Sequence, residues 1–131
     1  MKKIITYGTF DIFHSGHLEL LKRIKELGDY VIVGVSTDEF NLTEKNKISY
    51  FPYKDRKAII EALKYVDLVI PEESWEQKIA DIKKYDIDIF VIGNDWETKF
   101  DYLKDYGIEV IYLERTPNIS TSTVKKELKY K

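Results

Sequence analysis

The sequence predicts an α/β fold in which helices cover both faces of a five-stranded parallel sheet. The main indication is the alternation of short apolar, β-prone runs with stretches of helical periodicity. Five runs have the length and composition of strands, at residues 3–7, 30–36, 67–70, 87–92 and 108–113. Strands that alternate with helices form parallel sheets, because each strand needs a crossover to return to the same edge.

The segments between these strands carry apolar residues at the three- and four-residue spacing of a helix face. They predict four helices, within residues 18–27, 59–66, 75–82 and 100–106. No internal repeat, linker or low-complexity stretch interrupts the pattern. We therefore expect a single Rossmann-like domain that takes in the whole chain.

Residues at the ends of these segments support the predicted boundaries. Gly28 and Gly107 follow helical patterns, where glycine commonly ends a helix. Ser74 and Gln77 have the spacing of a capping box, and Asp55 is a candidate N-cap. Residues 38–54 are the exception, because they are polar and show no clear period. We expect a long functional loop there, with some helix at its start.

Composition restricts the class of protein. A chain of 131 residues is long enough for one hydrophobic core. Its net charge of −2 excludes a general polyanion binder, so any phosphate site must be a local cluster of cations. There is no cysteine, which excludes disulfides and thiolate chemistry. We recognise no signal-peptide core and no apolar run of membrane-spanning length, so we expect a cytoplasmic protein that neither inserts into membranes nor binds nucleic acid.

The two histidines of the chain lie within four residues, His14-Ser15-Gly16-His17. This stretch falls between the first predicted strand and the first predicted helix. Ligands of open α/β sheets bind beyond the carboxyl ends of strands, and helix N-termini attract phosphate. Imidazoles can donate hydrogen bonds to phosphoryl oxygens near neutral pH. The alternative is an ordinary helix-capping turn in which the histidines are incidental.

The same stretch resembles the HxGH signature of the nucleotidyltransferase superfamily, which includes the cytidylyltransferases. The resemblance extends to Tyr7-Gly8-Thr9-Phe10-Asp11, and a second segment, residues 115–122, is similar to the family's RTxGISTT motif. The segments at 36–41 and 94–97 look most like the glycerol-3-phosphate cytidylyltransferases. Two motifs in the right order, about a hundred residues apart, are more specific than either alone.

The resemblance implies transfer of a cytidylyl group from CTP to glycerol 3-phosphate. A phosphate oxygen of the acceptor would attack the α-phosphorus in line, without a covalent intermediate, and pyrophosphate would leave. The protein would then act mainly by positioning the substrates and stabilising charge. The resemblance also implies Mg²⁺ bound with CTP, a homodimer, and a CDP-glycerol product used for teichoic-acid-type polymers.

The resemblance assigns catalytic roles to His14, His17, Lys45 and Arg115. It assigns acceptor binding to Lys45 and Lys78. Lysines in the 38–54 loop could close over anionic substrates when the site is filled. The nucleotide would be bound by Thr9, Phe10, His14, Ser15, Gly16, His17, Lys47, Asp95, Arg115, Thr116, Pro117, Asn118, Ile119, Ser120, Thr121 and Ser122.

Two positions depart from the family pattern. Lys64 stands where the family has arginine, and a point charge does not reproduce the planar fork with which arginine binds phosphate. Asn118 stands where glycine is usual, although asparagine tolerates a left-handed backbone. We further expect Asp67 to pair with Lys64 or with Arg56.

Several alternatives remain open at the level of sequence. Asp11 could orient a histidine or a metal-bound water, or it could cap the following turn. Another phosphorylated alcohol, such as phosphocholine, could be the acceptor, and ATP could replace CTP. A regulatory module that binds nucleotide without turnover is a rival of another class.

Overall fold

A five-stranded parallel sheet organises residues 1–114, the part of the chain that the computed structural model describes. Its strands are β1 (Lys3–Gly8), β2 (Tyr30–Ser36), β3 (Leu68–Glu72), β4 (Ile89–Gly93) and β5 (Glu109–Leu113). All neighbours pair in parallel, in the order β3-β2-β1-β4-β5. Every predicted strand is confirmed, with ends that differ by no more than two residues.

Four α-helices and two short 3₁₀ segments connect the strands. The helices are α1 (Ser15–Lys25), α2 (Asp38–Glu44), α3 (Tyr53–Glu61) and α4 (Gln77–Tyr85), and the 3₁₀ segments are Asn94–Trp96 and Asp101–Tyr106. The last of these replaces the α-helix that the sequence predicted near residues 100–106. The predicted loop at 38–54 is also shorter than expected, because α2 and α3 leave only residues 45–52 outside a helix.

Two apolar layers lie on the two faces of the sheet, as predicted. On one face, α1 and α3 bury Leu21, Ile24 and Ile60 against the strands. On the other face, Ile82 of α4 and Leu103 of the second 3₁₀ segment pack on the sheet. Fully burying one such side chain contributes roughly 1.5–3 kcal/mol, so these contacts hold the connecting loops at fixed places along the strand ends. Within residues 1–114, no helix combines the length and the apolar character needed to cross a membrane.

Helix α3 begins six residues before the predicted apolar pattern, and the predicted N-cap is wrong. Pro52 precedes the helix, where its fixed φ is suitable. The N–H group of Tyr53 donates to both carboxylate oxygens of Asp38, at 3.1 and 3.0 Å. Asp55 therefore lies within the first turn, and the carboxylate that satisfies the N–H group of Tyr53 comes from the start of α2, 15 residues earlier.

The glycines that were predicted to follow helices do so, one of them for a different reason. The predicted capping-box bonds at Ser74 also form, but the N-cap of α4 is Glu76, two residues later. Gly107 ends its 3₁₀ segment with φ 79°, a left-handed conformation that favours glycine. Gly28 follows α1, but a Cβ atom there would lie 2.8 Å from Ile4 Cδ1, so close packing explains it. Ser74 and Gln77 form the reciprocal bonds of a capping box: Gln77 N donates to Ser74 Oγ at 3.2 Å, and Ser74 N donates to Gln77 Oε1 at 3.0 Å.

The sheet order places a crevice at the carboxyl end of β1. Strand β1 has β2 on one side and β4 on the other, so the connections leave in opposite directions. The floor of this region depends on Gly34 of β2, which is paired with Tyr7 in the sheet. A Cβ atom on Gly34 would lie 2.4 Å from Tyr7 Cδ2, so only glycine leaves room for this ring.

Candidate active site

A cavity of about 570 Å³ opens at the carboxyl ends of β1 and β4. Its wall includes residues of the β1–α1 loop, among them Thr9, Phe10 and His17. It also includes the loop lysines Lys45 and Lys47. The remaining wall is formed by Tyr7, Gly8, Asp11, Glu44, Ser49, Glu72, Trp75, Lys78, Ile92, Trp96 and Phe100. The fold thus brings predicted nucleotide-binding and acceptor-binding residues to one cavity.

The histidine pair forms the start of α1. Gly16 N donates to His14 Nδ1 at 3.0 Å, and His14 N donates to His17 Nδ1 at 3.3 Å. The two rings stack with their centroids 3.9 Å apart. Because each Nδ1 accepts a hydrogen bond, the proton of each neutral ring is on Nε2. The histidine pair therefore forms the capping turn itself, and its role as a donor to phosphate stays a prediction.

Burial disfavours the charged form of both imidazoles, because it lowers the pKa of each ring. Burial lowers the pKa of His17 to about 4; the nearby His14 lowers it further, and Asp11 opposes the shift. Burial also lowers the pKa of His14 below its ordinary value. Neutral rings donate hydrogen bonds to phosphate without requiring a buried charge, and a bound polyanion would favour their protonation.

Asp11 fastens the β1–α1 loop to the segment before α3. Its buried Oδ2 accepts from Tyr50 N at 2.6 Å, and its Oδ1 accepts from Phe51 N at 3.0 Å. The residues on either side are left-handed, with φ 53° at Phe10 and φ 46° at Ile12, which is unfavourable for a β-branched side chain. The carboxylate therefore holds a strained loop in place, a role that the sequence analysis did not include among its alternatives.

Arg56 connects three segments around the cavity. Only 1% of it is exposed, and its guanidinium donates to Thr9 O at 2.9 Å and to Ser36 O at 2.7 Å. It also donates to Phe51 O at 2.9 Å and to Asp38 Oδ1 at 2.7 Å. The expected partner Asp67 is elsewhere: it pairs with Lys25 at 3.0 Å and accepts from Val31 N at 2.8 Å. That prediction is wrong, and the importance of Arg56 was missed.

Lys45 and Lys78 meet at a carboxylate that the sequence analysis also missed. Lys78 Nζ lies 2.9 Å from Glu72 Oε2, and Lys45 Nζ lies 3.6 Å from Glu72 Oε1. Lys45 also donates to Thr9 Oγ1 at 3.3 Å. Burial lowers the pKa of Lys45, and the Glu72 carboxylate opposes that shift. We call these three residues, Lys45, Glu72 and Lys78, the charged triad.

Aromatic rings surround the ammonium group of Lys78. Its Nζ lies 4.5 Å from the ring centroid of Tyr7, 5.2 Å from that of Trp75 and 5.3 Å from that of Phe100. Such contacts stabilise a cation through the negative face of each ring. A cation that belongs to the protein thus occupies the aromatic part of the cavity.

The other predicted nucleotide-binding residues lie partly in the described structure and partly outside it. Ser15 and Gly16 begin α1. Asp95 lies in the 3₁₀ turn after β4, where its neighbour Trp96 lines the cavity and Asp95 does not. The predicted residues of the second motif lie outside the described part of the chain, and their roles stay predictions: Arg115, Thr116, Pro117, Asn118, Ile119, Ser120, Thr121 and Ser122.

Comparison with known proteins agrees with this geometry. Residues 5–127 match the family described as cytidylyltransferase-like. A solved structure, the lipopolysaccharide core biosynthesis protein from Thermoplasma volcanium, superimposes with a TM-score of 0.71 at 30% identity. That alignment covers 88% of this chain and 97% of the other. The chain therefore belongs to the cytidylyltransferase-like family.

Within this family, two relatives are similar to the chain over nearly its whole length. The glycerol-3-phosphate cytidylyltransferase of Bacillus spizizenii is 62% identical over 98% of each chain. The glycerol-3-phosphate cytidylyltransferase of Staphylococcus aureus is 58% identical over 98% of this chain and 96% of the relative.

Proposed function

We propose that this protein transfers a cytidylyl group from CTP to glycerol 3-phosphate, forming CDP-glycerol and releasing pyrophosphate. The observation that carries the proposal is one cavity lined both by His17 and by the two lysines of the charged triad. The phosphates of the nucleotide and of the acceptor both need hydrogen-bond donors. The cavity offers His17 as one source of donors and the pair Lys45 and Lys78 as the other. The names of the relatives identify the two substrates.

In the proposed reaction, an oxygen of the acceptor phosphate attacks the α-phosphorus of CTP. The bond from that phosphorus to the bridging oxygen breaks, and the electron pair leaves with pyrophosphate. His14 and His17 would donate from Nε2 to phosphoryl oxygens as negative charge develops there. The attacking phosphate is ionised at pH 7, so the step needs no general base. The catalytic task of the chain is alignment and charge stabilisation.

The acceptor phosphate would bind beside the charged triad. Lys45 and Lys78 together carry two positive charges against one carboxylate, which leaves a net positive charge next to a partly apolar wall. Such a charge attracts a phosphate more strongly than the same charge in water, because the surroundings screen it less. Lys47 also lines the cavity and is proposed to contact CTP.

The aromatic contacts favour a polyol phosphate over phosphocholine. A trimethylammonium group needs an aromatic cage without a resident cation. In this protein, the Lys78 ammonium already lies over three rings and would repel a second cation. A neutral glycerol group meets no such repulsion.

We further propose that Mg²⁺ enters with the nucleotide. Mg²⁺ commonly binds through substrate phosphates and keeps several waters. Among residues 1–114, no three His, Asp or Glu side chains are grouped so that they could hold a metal ion. Of the three described carboxylates that line the cavity, Asp11 is engaged with backbone N–H groups, Glu72 is engaged with lysines, and Glu44 is the third. We therefore propose that the substrate phosphates and water supply most of the Mg²⁺ ligands.

The broader setting is also part of the proposal. We propose a homodimer that works in the cytoplasm and supplies CDP-glycerol for teichoic-acid-type polymers. Arg115 and the motif that follows it are proposed to contribute further donors to the triphosphate.

The test is an assay of the purified protein with CTP or ATP and a panel of phosphorylated alcohols, with pyrophosphate release as the readout. We expect the highest kcat/KM for CTP with glycerol 3-phosphate. Comparable kcat/KM for ATP would refute the cytidylyl assignment, and a preference for phosphocholine would refute the acceptor. Tight CTP binding without pyrophosphate release would instead indicate a regulatory module.

A further inference from the structure

One carboxylate oxygen in the cavity accepts no hydrogen bond. Glu72 is 2% exposed, and its Oε2 accepts from Lys78 Nζ at 2.9 Å. Its other oxygen, Oε1, is buried and has no hydrogen-bond partner. Among the described residues, no other buried side-chain oxygen or nitrogen lacks one. Lys45 Nζ lies 3.6 Å from Oε1, which is beyond hydrogen-bond length. A buried acceptor in this state is unfavourable, so buried polar groups are nearly always satisfied.

The chemistry of the cavity restricts what could satisfy this oxygen. A phosphate monoester at pH 7 is mostly doubly ionised; in that form it only accepts hydrogen bonds, and the carboxylate repels it. Lys45 and Lys78 attract phosphate to either side of Glu72. A ligand that suits both features carries a phosphate for the lysines and, a few bonds away, a neutral O–H donor for Oε1. A quaternary ammonium has no N–H or O–H group to donate.

We infer that Glu72 determines acceptor specificity by accepting a hydrogen bond from a hydroxyl of a polyol phosphate. The inference rests on the proposed function and names the part of the acceptor that this residue recognises. A charged acceptor makes a stronger hydrogen bond than a neutral one, and a missing hydroxyl would leave Oε1 buried without a donor. The carboxylate therefore selects against acceptors that lack the hydroxyl.

The experiment compares glycerol 3-phosphate with three analogues: 2-hydroxypropyl phosphate, 3-hydroxypropyl phosphate and n-propyl phosphate. The kcat/KM of each is measured with saturating CTP. We expect the wild-type protein to prefer glycerol 3-phosphate over n-propyl phosphate by about 10- to 100-fold, the range for a hydrogen bond to a charged group. One of the two hydroxypropyl phosphates should recover most of this preference.

Two variants assign the preference to Glu72. In Glu72→Gln, the amide oxygen stays on Lys78, and an NH₂ group replaces the charged acceptor. Glu72→Asp keeps the negative charge, but its side chain is shorter by one methylene, so the carboxylate lies farther from the acceptor. Both variants should reduce the preference for glycerol 3-phosphate over n-propyl phosphate at least fivefold. The reduction should come from a lower kcat/KM for glycerol 3-phosphate rather than from a change in kcat/KM for n-propyl phosphate. Glu73→Gln is the matched control, because Glu73 is the adjacent, exposed carboxylate.

The outcomes separate the inference from the proposed function. A wild-type protein that forms no CDP-glycerol refutes the proposed function itself. An active wild-type protein that uses n-propyl phosphate as well as glycerol 3-phosphate overturns the inference, whether or not the variants fold. A uniform loss of activity across all four acceptors in Glu72→Asp also overturns it, because it would show a structural role only.

Discussion

Replacing Arg56 with methionine should destabilise the protein strongly, because it removes every donor from the centre of a buried network. Three backbone carbonyl oxygens accept from this guanidinium, on Thr9, Ser36 and Phe51. Methionine has similar length and fills much of the same space, so the change isolates the loss of hydrogen bonds.

The magnitude follows from the burial of these contacts. The bond to Ser36 O is buried, and those to Thr9 O and Phe51 O are partly buried. Leaving a buried acceptor unsatisfied costs about 1–3 kcal/mol, whereas the bond to Asp38 is discounted because that side chain is 54% exposed. Two of the three bonds are only partly buried, so we take the low end of this range for each carbonyl, which gives a total of about 3 kcal/mol. For 131 residues the entropy of unfolding is about 0.27 kcal/mol per kelvin, so Tm should fall by about 10 °C.

Thermal unfolding followed by circular dichroism, together with urea unfolding at 25 °C, measures this effect. Lys54→Met on the same helix is the control, because it removes an exposed cation and should leave Tm nearly unchanged. Arg56→Lys should lie between the two, since one ammonium cannot reach acceptors that a planar fork spans. A decrease of less than about 3 °C for Arg56→Met would show that water or relaxed backbone satisfies the carbonyls and that the network reasoning is wrong.

Three further predictions concern the site. His14→Ala and His17→Ala should each lower kcat on the order of 10²–10³-fold with little change in the KM for CTP, and a raised KM at unchanged kcat would contradict a role in the transition state. Because the pKa of His17 is about 4 in the folded protein and about 6.5 in the unfolded chain, the unfolded chain binds more protons between these values. The free energy of unfolding should therefore fall as the pH is lowered from 6.5 towards 4, and urea unfolding of His17→Gln should show a weaker pH dependence; an equal dependence would refute the shift. Lys45→Ala should raise the KM for the acceptor, and Lys47→Ala should raise the KM for CTP. Steady-state kinetics in which each substrate is varied in turn measure both constants. If the two variants changed the same KM, the assignment of the two lysines would be wrong.

The arrangement of strands and the location of the site could be predicted from sequence because their signals are local. Apolar runs marked the strands within two residues, and the histidine pair lay at the predicted junction of β1 and α1. The start of α3 could not be found in this way. Its first turn is polar, and the buried side chain there is Arg56, which no hydrophobic pattern reveals.

The missed residues share a dependence on partners that are distant in sequence. Glu72 lies just beyond the predicted third strand, and its burial depends on Lys45, 27 residues away, as well as on Lys78. Asp11 contacts backbone N–H groups 39 and 40 residues later in the chain. Asp67 pairs with a lysine of α1 rather than with a neighbour. A charged side chain is buried only where its partners converge, and a single sequence gives no measure of that convergence.

The absence of a side chain at Gly34 has a consequence for attempts to change the acceptor. The Tyr7 ring occupies the space beside Gly34, and Lys78 rests on that ring. Any larger residue at position 34 would displace the Tyr7 ring and so disturb the cation that rests on it, although position 34 itself lies outside the cavity wall. Engineering for new alcohols should therefore keep this strand position fixed and vary the wall residues. Conversely, a mutant library that varies position 34 should contain variants with an altered substrate range, although residue 34 does not contact the substrate.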